Sequence, residues 1–228
     1  MPERLPLVVL PGLGLGTEAW APTLHRLGDG PGTFVRRLPG YGQPAPRGVD
    51  LHPRALAADV MATLPSDVGP VVVLGHSASC QVAAHLAAIE PSRVASLVLV
   101  GPTTDPRAAT WPRLARRWVA TALHETPRQV PALVRQYRRT TIGAMLRSME
   151  SARRDAIEEA LGPVRVPILV VRGRHDRICP EDFGAAVARC GARGGDLVTL
   201  GAGAHMVPLT HGHLLASAIT DFLTDKVP

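Results

Sequence analysis

Short apolar runs alternate with amphipathic helical patterns along most of the chain, and this alternation constrains the fold more than any other feature. The runs at Val71–Leu74 and Val94–Val100 are rich in β-branched residues and contain few polar side chains. Strands that are apolar on both faces are typical of parallel sheets covered by helices on each side. The sequence therefore predicts an α/β fold with a mostly parallel open sheet of about six strands and helices on both faces.

The expected elements follow one another in β/α order. Strands are expected at Leu5–Leu10, Thr33–Leu38, Val71–Leu74, Val94–Val100, Ile168–Val171 and Leu197–Leu200. Helices are expected at Thr17–Leu27, with Thr17 as its cap, and at Pro53–Leu64, Ala78–Glu90, Glu181–Arg189 and Leu209–Leu223. The 228 residues are enough for one large domain, or for a domain with an insert, to bury a real core.

The β/α alternation breaks between Thr103 and Gly162. Apolar residues in this segment recur at helical spacing, first from Trp111 to Ala122 and again from Val130 to Tyr137. We therefore expect an all-helical cap at 103–162, inserted into an α/β core that is formed by 1–102 and 163–228.

The distribution of positive charge bears on the kind of partner that is expected. The net charge is +6, and between Arg107 and Arg154 there are 11 Arg against only Glu125 and Glu150, a local balance of +9. A nucleic-acid-binding protein would stripe its charge along a recognition element with aromatic platforms. Because the charge is confined to one helical segment, we expect no nucleic-acid partner. The Arg faces would attract an anionic substrate or an acyl carrier, or they are ordinary solvated helix faces.

The sequence predicts neither a membrane segment nor a secretion signal. It contains no run of 18 apolar residues, and the short apolar run near the start lacks a basic region and a small-residue cleavage site. The three cysteines are odd in number and follow no pattern, which is typical of a reducing compartment and of neither a zinc site nor a disulfide framework. We expect a cytoplasmic protein that uses no cofactor and no metal.

The strongest chemical signal is the stretch 71–79, which reads Val-Val-Val-Leu-Gly-His-Ser-Ala-Ser. A buried strand runs into Gly-x-Ser-x-small and then directly into a helix, as a nucleophile elbow requires. Gly75 and Ser79 are small enough to let the strand and helix backbones nearly touch. The first turn of the helix also offers free N–H groups and a positive dipole end to a developing oxyanion. Ser77 is the predicted nucleophile, and Ala78 is a predicted oxyanion donor.

A serine hydroxyl is a weak nucleophile at neutral pH, so a base must lie within reach. His205 follows the strand Leu197–Leu200 through the small-residue loop Gly201–Ala204, which lets the imidazole extend across the edge of the sheet. His205 is therefore the predicted base. His76, which precedes the nucleophile, is expected to point away from the pocket and to take no part in the chemistry.

The base in turn needs a carboxylate that holds its tautomer and stabilises the imidazolium. Asp176 follows the strand Ile168–Val171 at the same edge of the sheet and is the predicted acid. Asp105 follows the strand Val94–Val100 and remains an alternative acid.

Five segments together resemble the α/β-hydrolase superfamily over nearly the whole chain. They are Leu10–Gly14, Leu38–Gly42, Gly75–Ser79, Pro167–Pro180 and Gly201–His205. The resemblance implies a triad in the order Ser77, Asp176, His205. It also implies that the first strand corresponds to the third strand of the family, so that the sheet has six strands, and that the second oxyanion N–H belongs to Leu13.

By the same resemblance, the helical insert occupies the position of the superfamily's cap, and its apolar residues are expected to roof a substrate pocket. The candidate lining residues are Trp111, Trp118, Tyr137, Met145, Met149 and Met206.

The predicted function is a serine hydrolase that cleaves a small carboxylic ester, lactone or thioester through a Ser-His-Asp triad and an acyl-enzyme. Two alternatives stay open, because a fold does not decide a function. One is a receptor-like member that binds a small ligand and signals to a partner protein, which the Gly-His-Ser-x-Ser elbow favours. The other is a lyase, cyclase or C–C bond hydrolase that uses the same triad.

Overall fold

Six parallel strands form one open sheet in the computed structural model, which describes residues 5–28 and 32–227. The strands in chain order are β1 (Leu7–Leu10), β2 (Thr33–Val35), β3 (Leu38–Pro39), β4 (Gly42–Gln43), β5 (Val71–His76), β6 (Val94–Val100), β7 (Ile168–Gly173) and β8 (Asp196–Leu200). The large sheet has the order β2-β1-β5-β6-β7-β8, and β3 and β4 pair separately. The structure confirms the predicted α/β class and the number of strands.

Helices cover both faces of the sheet. They are α1 (Ala21–Leu27), α2 (Pro53–Thr63), α3 (Ser79–Ile89), α4 (Trp111–Ala122), α5 (Val130–Thr140), α6 (Ile142–Ala152), α7 (Ile157–Leu161), α8 (Glu181–Arg189), α9 (Val207–Thr210) and α10 (Gly212–Lys226). One core lies under α2, α3 and α8, and a second core lies under α1 and α10. None of the helices in the described ranges is long and apolar enough to cross a bilayer.

The sheet is apolar on both faces because its central strands are sandwiched between these two cores. All residues of β5 and of β7 are buried. The pairing of β1 with β5 and of β5 with β6 is parallel throughout, so the carboxyl ends of these strands meet at one edge. The loops that carry the predicted site residues leave the sheet at this edge.

The segment between β6 and β7 is helical, as the sequence predicts. It contains α4, α5, α6 and α7. Leu114, Met149 and Ile157 from this segment join the core under α3, so the cap is packed onto the sheet domain rather than held by its connections alone. The domain boundaries 1–102, 103–162 and 163–228 stay predictions.

Three elements differ from the sequence-based expectation. The strand expected at Thr33–Leu38 ends at Val35, because the following residues turn back to form the small β3–β4 pair, with left-handed backbone at Gly40 and Gly42. Thr17 begins a separate 3₁₀ turn rather than capping α1. The final helix is interrupted at His211, which separates α9 from α10.

Candidate active site

Ser77 sits on a sharp turn between β5 and α3, with a left-handed backbone at φ 59°. This conformation is strained for a residue with a Cβ and is often found at functional sites. A Cβ on Gly75 would lie 3.0 Å from Cys80 Cα, so a larger residue here would push the helix backbone away from the strand. The Ser79 hydroxyl accepts a hydrogen bond from His76 N at 2.9 Å and donates one to Leu10 O at 2.7 Å. The turn is thereby tied to the neighbouring strand.

The three predicted triad side chains meet at this turn. His205 Nε2 lies 2.8 Å from Ser77 Oγ, and His205 Nδ1 lies 2.8 Å from Asp176 Oδ2. All three residues are buried. A Cβ on Gly101, where φ is 55°, would come within 3.1 Å of both the acid and the imidazole. Because Gly101, directly after β6, has no side chain, Asp176 and His205 have room to contact each other.

Backbone amides hold the Asp176 carboxylate in a fixed orientation. Its Oδ1 accepts hydrogen bonds from Ile178 N at 2.9 Å and Cys179 N at 3.0 Å, which leaves Oδ2 for the imidazole. The buried Arg172 guanidinium donates to the carbonyls of Asp176 and Cys179, each at 2.8 Å. Arg172 therefore holds the loop after β7 in a compact shape, in which the carboxylate of Asp176 contacts His205.

The electrostatics of the pair suit a base. Burial raises the pKa of Asp176, but the adjacent His205 and the two backbone donors outweigh burial and hold that pKa below its usual value. Burial lowers the pKa of His205, but Asp176, and to a smaller extent Glu125, outweigh burial and raise it. The result is an ionised carboxylate beside an imidazole with increased affinity for a proton.

Asp105, the alternative acid, is engaged elsewhere. Its carboxylate pairs with Arg107 at 2.7 Å and with Arg117 at 2.6 Å. It also accepts a hydrogen bond from Arg107 N and caps the short turn Pro106–Ala108. Asp176 is the carboxylate that contacts His205, and Asp105 begins the cap.

A cavity of about 350 Å³ opens above Ser77 and His205. It is lined by Leu13, Leu15, His76, Ser77, Trp118, Thr121, Ala122, Glu125, Thr126, Pro127, Gln129, Val130, Leu133, Tyr137, Ile178, His205 and Met206. Of the predicted lining residues, Trp118, Tyr137 and Met206 are therefore in the cavity wall.

The other three predicted lining residues lie elsewhere, and their assignment is corrected. The half-exposed Trp111 side chain donates to Glu150 Oε2 at 3.0 Å instead of facing the cavity. Met149 is buried in the core under α3, and Met145 packs against that core. Helical periodicity shows which residues share a face, but it does not show which part of the face covers a cavity.

The two predicted oxyanion donors, Leu13 and Ala78, lie near Ser77: the first lines the same cavity, and the second follows Ser77 in the sequence. Ala78 also immediately precedes α3. Within the described ranges, neither amide makes a hydrogen bond to another residue. The loop after β1 is held by a hydrogen bond from Gly14 N to Gly40 O at 2.9 Å. The role of the two amides stays a prediction.

His76 was expected to point away from the pocket, but it lines the cavity, and that expectation is corrected. Its ring is buried, Nε2 lies 3.0 Å from the carbonyl oxygen of His205, and the two ring centroids are 5.0 Å apart. Burial, assisted by the neighbouring His205, lowers the pKa of His76 to about 3. A neutral His76 therefore donates from Nε2 to the loop that carries the base.

Thr121 and Glu125, on the cap, are two further cavity residues that the sequence did not indicate. Both accept hydrogen bonds from backbone amides of the loops that carry the triad. The only sequence signal was that Glu125 is one of two acids in an Arg-rich segment.

One group of residues in the described ranges has the composition of a metal site, but its hydrogen bonds do not fit one. Ligand atoms of His52, His85 and Asp155 lie within 4.8 Å of one another. His52 Nδ1 accepts a hydrogen bond from Arg54 N at 3.3 Å, so its proton is on Nε2, which faces the carboxylate. His85 Nε2 lies 2.8 Å from Asp155 Oδ1. The group therefore links the end of the cap to α2 and α3, and the absence of a catalytic metal stays a prediction.

The fold and the site define a class of enzyme, and comparison with known proteins agrees. Residues 7–218 match the family described as the alpha/beta hydrolase family, and the chain belongs to it. The chain is 31% identical over 210 residues to a pimeloyl-[acyl-carrier protein] methyl ester esterase of Aromatoleum aromaticum, a match that covers 78% of this chain and 82% of that protein. The protein is a hydrolase that acts on ester bonds.

Solved structures show the same fold. A hydrolase from Oleispira antarctica superposes with a TM-score of 0.81 at 13% identity, covering 97% of this chain and 92% of the other. An enol-lactonase from Burkholderia xenovorans superposes with a TM-score of 0.72 at 21% identity, again covering 97% and 92%.

Proposed function

We propose that this hydrolase is a serine esterase that cleaves small carboxylic esters, lactones or thioesters through an acyl-enzyme. One observation carries the proposal: Ser77 Oγ and Asp176 Oδ2 each lie 2.8 Å from a different ring nitrogen of His205, at the base of the cavity. This is the geometry in which one imidazole takes a proton from the nucleophile while a carboxylate fixes its tautomer.

In the first half of the reaction, Ser77 Oγ attacks the acyl carbon and its proton passes to His205 Nε2. The bond from the acyl carbon to the leaving oxygen or sulfur then breaks, and the leaving group takes that proton. In the second half, water gives a proton to His205 and its oxygen attacks the acyl carbon. The bond from that carbon to Ser77 Oγ then breaks, His205 returns the proton to Oγ, and the acid is released. The amides of Leu13 and Ala78 hold the oxyanion in both halves, at about 3 kcal/mol per donor.

The cavity lining supports an acyl group without charge. Most of the lining side chains are apolar, and no Lys or Arg is among them. The only carboxylate in the lining is Glu125. A free carboxylate on the acyl chain would face this like charge at short range, which is unfavourable. We therefore propose that the acyl part of the substrate is neutral.

The cap supports a carrier for that acyl group. Arg113, Arg116, Arg128, Arg135 and Arg138 are exposed, and none forms an ion pair with a described carboxylate. The relative from Aromatoleum is named for an ester attached to an acyl carrier protein. We propose that the exposed Arg faces attract an anionic carrier to the cap.

The test is labelling with a fluorophosphonate, followed by turnover on nitrophenyl esters, lactones and free and carrier-bound acyl thioesters. Wild-type protein and a Ser217→Ala control, which changes an exposed serine on α10, should both label and turn over. Ser77→Ala should do neither, because it removes the attacking oxygen. If Ser77→Ala still labels or still turns over, the proposal fails.

The same assays test the receptor-like alternative and the anionic carrier, and one further assay tests the other alternative. Binding of a ligand with turnover below about one per minute would favour the receptor-like alternative, since typical enzymes run near 10 per second. Ester and thioester assays do not detect the lyase, cyclase or C–C hydrolase alternative, so a separate assay follows the consumption of non-ester substrates, and turnover there but not on esters would favour it. Added salt should raise KM for a carrier-bound acyl thioester and leave KM for a nitrophenyl ester unchanged, because only the first depends on the Arg faces.

A further inference from the structure

The end of the first cap helix contacts both loops that carry the triad. Glu125 Oε1 accepts hydrogen bonds from the amides of His205 and Met206, each at 2.8 Å. Thr121 Oγ1, four residues earlier in the last turn of α4, accepts a hydrogen bond from the amide of Arg177 at 3.0 Å. Arg177 directly follows the triad acid. One turn of the cap therefore holds the histidine loop and the acid loop at the same time.

We propose that Thr121 and Glu125 are positioning residues, which fix the base and the acid of the triad relative to the cap. The inference rests on the proposed function, because it assigns a role within that triad. It changes the role of the cap: besides roofing the cavity, the cap completes the support of the two loops.

Further hydrogen bonds fix the orientation of the Glu125 carboxylate and of the Thr121 hydroxyl. A single carboxylate oxygen bridges two successive amides, and hydrogen bonds to a charged acceptor are roughly twice as strong as neutral ones. The second oxygen accepts from Gln129 Nε2 at 2.9 Å, so the carboxylate cannot rotate freely. Thr121 is buried, and its hydroxyl donates to Arg117 O at 2.9 Å, which leaves its lone pairs for Arg177.

A purely structural role would leave a different signature. Glu125 supplies the acceptor for two amides just ahead of the short helix α9, and leaving such donors without a partner lowers stability. Such a loss would lower Tm without changing the pH dependence of the reaction. Positioning predicts a fall in kcat, because a shift of about 1 Å in a catalytic group costs up to about a hundredfold in rate.

The negative charge of Glu125 predicts a second effect, on the pH dependence of the reaction. A glutamine at this position separates the effect of the charge from that of the hydrogen bonds. The titratable groups that face His205 are Asp176, Glu125 and the buried His76, with the Ser77 hydroxyl at the other ring nitrogen. Glu125→Gln keeps an oxygen acceptor for the two amides but removes the negative charge. The pKa of His205 should then fall, and the acidic limb of kcat/KM should move to lower pH.

The experiment compares Glu125→Gln, Glu125→Ala and Thr121→Val with a matched control, Glu159→Ala, which removes an exposed glutamate from the same cap. The readouts are kcat, KM, Tm and the pH profile with a nitrophenyl ester. Glu125→Ala should lower kcat about tenfold or more and change KM less. Thr121→Val should lower kcat several-fold. Glu125→Gln should retain most of kcat on the plateau and shift the acidic limb.

The outcomes keep the two proposals apart. If wild-type protein neither labels nor turns over, the proposed function fails. If wild-type protein is active and all three variants match Glu159→Ala in kcat and pH profile, positioning by the cap is overturned. Variants that lose Tm alone, with kcat and pH profile unchanged, also overturn it. If Glu125→Ala does not fold, the pH profile of Glu125→Gln decides the question.

Discussion

Two residues with left-handed backbones, Ser77 and Gly101, give the candidate triad its shape. Ser77 carries its hydroxyl out of the strand-to-helix turn, and Gly101 leaves space beside the acid and the imidazole. Neither conformation is a property of a regular strand or helix. At the scale of single residues, the site therefore depends on a few strained or side-chain-free positions that the surrounding sheet holds in place.

The acid of the triad is open to a direct comparison at this scale. Asp176→Asn should lower kcat by about 10⁴-fold, because an amide supports the wrong imidazole tautomer. Asp105→Asn should leave kcat nearly unchanged and lower Tm, because it weakens the pairs with Arg107 and Arg117. The measurement is kcat and a thermal melt for both variants. A large kcat loss in Asp105→Asn with none in Asp176→Asn would reverse the assignment.

At the scale of elements, the elbow is joined to β1 as well as to its own helix. Ser79 stands where related elbows have a second glycine, and its buried hydroxyl bridges the end of β1 and the end of β5. The side chain that replaces glycine is accommodated because it makes two hydrogen bonds in the interior. The position of the nucleophile relative to the loop after β1 depends in part on this bridge.

We expect Ser79→Ala to lower the free energy of unfolding by about 1–3 kcal/mol, because it leaves buried backbone groups without their partner. Urea titration measures the change, and Ser217→Ala is again the surface control. A Ser79→Ala protein as stable as the control would show that the bridge contributes nothing to stability.

The same scale shows what sequence patterns predict well. Central strands such as β5 and β7 and the helical content of the cap follow from continuous apolar runs and from helical periodicity. The end of β2 and the break between α9 and α10 did not follow, because they depend on local turns and on packing against other elements. Local patterns predict that a strand or helix forms, whereas tertiary contacts decide where that element ends.

At the scale of the whole molecule, the stability of the fold is coupled to pH by a histidine, His76, that is buried in the interior in its neutral form. His76 is fully buried between the triad and Trp20, whose ring meets it edge-on at 6.5 Å, and its Nδ1 has no partner among the described residues. Folding therefore disfavours protonation of His76, whose pKa is lowered from 6.5 to about 3, mainly by burial.

This predicts a pH dependence of global stability. Between pH 6.5 and 3 the unfolded chain binds a proton that native His76 does not, so the free energy of unfolding should fall on acidification. The slope for one proton is at most about 1.4 kcal/mol per pH unit. His205 acts oppositely: its raised pKa contributes stability below 6.5 that is lost as pH rises through the folded value.

Urea titrations from about pH 5 to 6.5 measure this slope, above the range in which the lowered pKa of Asp176 acts. His76→Gln should flatten it, while His25→Gln, a change at an exposed histidine on α1, should not. Equal slopes in all three proteins would contradict a buried neutral His76.

The sequence by itself determined the parallel α/β sheet, the helical insert, and the chain positions of Ser77 and His205. These follow from periodicity, from turn chemistry and from the rule that parallel strands end at one edge, all of which are local in the chain. Only the tertiary structure showed that Asp176, and not Asp105, contacts His205, placed His76 against that imidazole, and brought Glu125 to His205 across 80 residues of the chain. Contacts between distant side chains depend on how whole elements pack, and no local pattern encodes that packing.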